Sequence, residues 1–152
     1  MDPASIVGLV SACLSLAEKT TKAIHGSWEL YTRYQAVGRN VSVLVERLST
    51  VRSALLVLST WIKSYLLKQA GAGELVASLE GAIASCHSVL AGIQELVEGV
   101  RVNKSSDKIK FLWNENTIDS LSNSLDSQIG ALNLVVSIMH LYAYEPLNRR
   151  HR

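Results

Sequence analysis

The side chains that most often carry chemistry are few in this sequence and poorly spaced for it. Its four histidines, His25, His87, His140 and His151, are scattered. Cys86 and His87 adjoin as a nucleophile and its base would, but neighbouring helix residues point about 100° apart, so they do not form a couple by themselves. Cys86 lies among apolar residues, where the role of a small core side chain is expected. Glu95 and Glu98 lie one turn apart with no histidine near them, the pattern of a solvated helix face rather than of a two-metal site. There is no CxxC, no HExxH, no phosphate-binding loop and no GxGxxG. No enzyme activity, metal or cofactor is expected.

Basic residues are the other candidates. Arg101, Lys104, Lys108 and Lys110 fall within ten residues and are followed by Phe111 and Trp113. Two readings fit: a solvated loop pinned to the protein by Phe111, Leu112 and Trp113, or a contact with anionic lipid, where each basic residue contributes about 1 kcal/mol. Arg149, Arg150 and Arg152 form a second patch, read as a linker to a further domain. Residues 1–100 carry eight positive and eight negative charges, and the net charge of the chain is only +2, so nucleic acid is not an expected partner.

The elements that must position these residues follow from composition and period. A length of 152 residues suits one domain, and 48% hydrophobic against 18% charged residues excludes a disordered chain. Two prolines argue against a loop-rich β fold. Asp2 and Pro3 read as the cap and first residue of a helix. Ile6, Leu9, Val10, Cys13, Leu14, Ala17 and Ile24 then form an apolar stripe, and His25-Gly26-Ser27 reads as a break before a short extra helix carrying Trp28, Tyr31, Tyr34 and Gln35. After Gly38, with Asn40 as cap, a stripe of Val41, Leu44, Leu48, Val51, Leu55, Leu58, Ile62 and Tyr65 predicts a long second helix ending near Gln69. Leu79, Ile83, Cys86, Leu90, Ile93, Val97 and Val100 predict a third. Residues 101–113 lose the period. Asn114 or Asn116 could cap a fourth helix, whose stripe is Ile118, Leu121, Leu125, Ile129, Leu132, Val136 and Met139, and which should stop before Pro146. The expected fold is therefore all-α: an antiparallel four-helix bundle over residues 1–143, with a short extra helix after helix 1 and a basic tail over 144–152.

The first helix is the most informative. Pro3 to Ala17 is a run of 15 residues without a charge. A secretory signal would have a basic residue before it, and here the charge is Asp2. As a helix the run reaches about 22 Å, short of a membrane core of about 30 Å. Ala4, Gly8, Ala12 and Ser15 make a ridge of small residues, which suits close packing against helices 2 and 4 or close approach of several copies in lipid. Glu18, Lys19 and Lys22 would then lie at the headgroup level. Two cysteines in apolar surroundings make no disulfide framework, and a reducing cytosolic setting is expected.

The segments MDPASIVGLVSACLSLAEKTTKAI, VSVLVERLSTVRSALLVLSTWI, LEGAIASCHSVLAGIQELV and KIKFLWNENTIDSLSNSLDSQIGALNLVVSI resemble the fungal HeLo-like N-terminal domains that precede STAND or NLR-type receptor modules. The resemblance covers residues 1 to about 143. It implies a bundle akin to that of the MLKL necroptosis executioner, which oligomerises on activation and moves from the cytoplasm to attack the plasma membrane through its N-terminal helix. Carried onto this sequence, the membrane-inserting residues are Ile6, Val7, Leu9, Val10, Leu14 and Leu16. The anionic headgroups fall to Lys19, Lys22, Arg101, Lys104, Lys108 and Lys110. The implied partners are anionic membrane lipids, further copies of the chain, and a receptor domain following in the same chain or on a partner NLR. Related bundles also serve as interaction or autoinhibitory scaffolds without membrane activity.

Overall fold

The structure, a computed structural model, describes residues 3–33, 38–65, 73–102 and 113–149. Within them lie four helices and no strand: α1 (Pro3–Arg33), α2 (Gly38–Tyr65), α3 (Gly73–Val102) and α4 (Glu115–Arg149). α1 packs against α2 and α3, and α4 packs against the same two helices. Helix 1 therefore meets helix 3 where the sequence reading placed helix 4. Lys19 meets His87 and Gly26 meets Val97, so α1 and α3 run in the same direction. Arg47 pairs with Asp126 and Trp61 meets His140, so α2 and α4 do likewise. Neighbours across these two seams are thus parallel, because the ring order brings helix 3 beside helix 1 and helix 4 beside helix 2.

The α2 stripe sits inward as the period requires: Val41, Leu44, Leu48, Val51, Leu55, Leu58 and Ile62 are all fully buried. Leu79, Cys86, Leu90, Ile93 and Val97 supply the α3 share of the core, with Ile83 half-buried. On α4 the residues Ile118, Leu125, Leu132 and Met139 recur every seven positions and are buried, while Leu121, Ile129 and Val136 are half-buried at the seam edges. Asn114 caps α4: its Oδ1 accepts the Thr117 N–H at 2.9 Å, and its carbonyl accepts the Ile118 N–H at 3.1 Å. Trp113 and Ile118, the residues flanking that cap in a hydrophobic-staple register, are both buried.

Several boundaries differ from expectation. α1 does not break at His25-Gly26-Ser27 but continues to Arg33, so there is no separate helix carrying Trp28 and Tyr31; Tyr34 and Gln35 lie outside the described residues. Gly26 is buried against the side chain of Val97, so its missing Cβ serves close approach of two helices rather than a turn. Thr20 and Ser27, fully buried, donate to the carbonyls of Leu16 and Ala23 at 2.7 and 2.8 Å, which satisfies their hydroxyls without a partner on another helix. Asn40, expected as a cap, already lies within α2. α4 runs through Pro146 to Arg149, so the expected boundary at residue 143 falls inside a helix. A proline inside a helix costs about 3 kcal/mol and one N–H bond, which disfavours continuation without forbidding it.

Candidate functional site

The residues expected to enter lipid divide between the two faces of α1. Ile6, Leu9, Val10 and Leu16 are buried in the bundle core, whereas Val7 is 64% and Leu14 44% exposed. Leu14 thus leaves the core stripe in which its spacing placed it. The seam instead follows Ile6, Cys13, Thr20 and Ser27 at seven-residue steps, with Leu9, Leu16, Ala23 and Leu30 between them. Each residue advances about 100°, so Leu14, next to Cys13, is carried outward. Polar Thr20 and Ser27 hide the second half of this seam from a reading based on apolar residues.

The small-residue ridge is only partly used inside the bundle. An added Cβ at Gly8 would meet nothing, and Ser15 is exposed. Ala12 and Ser15 flank a groove of about 380 Å³ between α1 and α3, floored by Leu9, Leu16 and Ile83 and edged by Ala84, Glu80 and His87. Thus the ridge leaves space against α3, whereas the close packing expected of it was against helices 2 and 4.

The charged end of α1 is organised. Lys22 and Glu18 form an exposed ion pair at 3.8 Å. The Lys19 ammonium, which can only donate, lies 3.2 Å from His87 Nε2 on α3. That contact joins α1 and α3 and was not foreseen, because it needs the parallel register of two helices 68 residues apart in the chain. Arg101 lies in the last turns of α3, not in a loop, while Lys104, Lys108 and Lys110 lie outside the described residues. An exposed aromatic pair, Trp28 and Tyr31, meets edge to face at 5.3 Å near the C-terminal end of α1.

The remaining reactive groups serve packing. Cys13 and Cys86 are free thiols buried in the core. Burial pushes both up to about 11, and for Cys13 the nearby Cys86 adds to the effect. Both are protonated thiols at neutral pH and poor nucleophiles. The His140 ring meets Trp61 at a tilt of 59°, with centroids 4.0 Å apart. Among the described residues no three of His, Cys, Asp and Glu gather into a possible metal site. One helix there is long and apolar enough to cross a membrane, and it is Leu75–Gly99 of α3 rather than α1. In comparisons with known proteins, no family model, no curated protein and no solved structure matches the chain.

Proposed function

We propose that the chain is the N-terminal effector bundle of a cell-death or innate-immune receptor of the HeLo-like kind, with consecutive helices alternating in direction. In this reading it rests in the cytoplasm, self-associates on activation, and permeabilises the plasma membrane through α1. Its partners are anionic lipids, further copies of itself, and a receptor domain in the same chain or on a partner NLR. No catalysis and no nucleic acid enter the reading.

The observation that carries it is that the first half of α1 bears no charge on either face, with serines and two apolar side chains outward. Residues 3–17 bear no charge, Val7 and Leu14 meet solvent, and Ile6, Leu9, Val10 and Leu16 meet the core. Detached, such a segment could meet hydrocarbon on every side. Uncovering Ile6, Leu9, Val10 and Leu16 alone in water would cost about 6–12 kcal/mol at about 1.5–3 each. Lipid tails are as apolar as the core, so insertion returns that cost. Release in this reading therefore happens at a membrane and not in free solution. The uncharged run is too short to span, so it inserts only part of the way, with Lys19 and Lys22 at the headgroups.

Dye release from anionic vesicles tests the proposal. Val7→Glu and Leu14→Glu place charge at exposed positions, where stability changes stay within about 0.5 kcal/mol. Each is expected to lower leakage at least about tenfold with an unchanged melting temperature. Leakage equal to that of the unaltered chain excludes α1 as the membrane element.

A second reading, an interaction or autoinhibitory scaffold with no membrane activity, is favoured by the depth at which Ile6, Leu9, Val10 and Leu16 sit and by the close seat of Gly26 under Val97. It predicts that α1 stays docked in the presence of vesicles.

A further inference from the structure

The groove between α1 and α3 is open, built by small side chains, and different at its two ends. Leu9, Leu16 and Ile83 form an apolar floor, and Ala12 and Ala84 are too short to cover it. One end carries Glu80. At the other stands His87, held by the Lys19 ammonium at 3.2 Å.

We infer that this groove binds a single-chain amphiphile with a carboxylate head, a medium-chain fatty acid. The apolar floor takes the tail. Charge then decides which way it lies: Glu80 repels the carboxylate from its end, and Lys19 attracts it to the other. A head of single charge is matched because the cations near that end are mostly answered already. Lys22 is paired with Glu18, whereas the partner of Lys19 is an imidazole and no carboxylate pairs with it among the described residues. The groove covers about two helical turns, from Leu9 to Leu16, so it is about 10 Å long and suits a medium-length tail. A helix of a second copy, with a diameter of about 10–12 Å, would need a longer trough, and the Lys19–His87 bridge closes one end of this one. Binding there uses α1 and α3 as they stand docked, so it does not depend on whether α1 ever enters lipid.

Titration calorimetry of the whole chain with hexanoate, octanoate and decanoate, each below its micelle concentration, tests the site. We expect one saturable site and about fourfold tighter binding per added methylene until the groove is full. Octanol, which keeps the tail and lacks the charge, should bind at least about tenfold more weakly than octanoate, and Lys19→Gln should erase that difference. Octyl phosphate should gain nothing over octanoate. Ala84→Phe and Ser15→Phe, at exposed positions, should each fill the groove and abolish binding while the melting temperature holds. The inference is overturned by the absence of saturable binding, by binding that both groove-filling variants leave intact, or by equal affinity for octanol and octanoate. Concentration-dependent dimerisation that those two variants abolish would assign the groove to a second copy instead.

Discussion

Gly26 lies where α1 and α3 approach most closely, and a side chain there would collide with Val97. Gly26→Val is therefore expected to destabilise the bundle by about 1–3 kcal/mol in urea unfolding. Val97→Ala should relieve part of that loss in the double variant, a coupling that two independent sites would not show. Asn114→Ala removes the carboxamide that accepts the Thr117 N–H and should cost about 1 kcal/mol. The buried thiols make a prediction with a definite sign. In the unfolded chain Cys13 and Cys86 lose their protons near pH 9.0, but in the folded one they hold them to about 11. Their contribution to stability is thus complete below pH 9 and falls away as pH rises from about 9 to about 11. Urea midpoints measured from pH 8 to 11 should drop more steeply for the unaltered chain than for a Cys13→Ala, Cys86→Ala variant. Parallel curves would show that the thiols do not experience the burial described.

At the scale of the element, α1 is a single helix, although its middle contains a Gly-Ser pair that commonly ends one. What sustains it is tertiary. Gly26 and Ser27 are both buried, the Ser27 hydroxyl is answered by the Ala23 carbonyl, and Leu30 is seated in the core one turn later. Amides of residues 25–30 should accordingly exchange with deuterium as slowly as those of residues 13–20. Fast exchange confined to residues 25–27 would instead restore two separate helices. The same residues show why the apolar stripe from Ile6 to Ile24 does not trace the inward face of α1. Thr20 and Ser27 occupy core positions with side chains that a hydropathy pattern scores as surface, and Leu14 lies outward despite being apolar.

At the scale of the whole molecule, α1 is held by α2 and α3 rather than by α4. Detaching it would open the α1–α3 and α1–α2 seams and leave the parallel α2–α4 pair, with the Arg47–Asp126 ion pair and the Trp61–His140 contact, intact. Hydrogen exchange in the presence of anionic vesicles separates the two functional readings. A membrane-acting α1 should lose protection over residues 18–30, which leave the bundle without entering lipid, while Leu44, Leu48, Leu55 and Leu58 on α2 keep theirs, whereas a scaffold should keep both. How much of this was legible beforehand depends on the range of the interaction. Four long helices, the inward face of α2 and an asparagine cap at 114 or 116 follow from the sequence alone, because helical period and capping act within a few residues. Which helices lie side by side, the parallel seams, the Lys19–His87 bridge and the groove beside it were decided only by tertiary structure. They depend on register between segments far apart in the chain, and on whether a glycine or a hydroxyl meets a neighbour or its own backbone, about which local pattern carries no information.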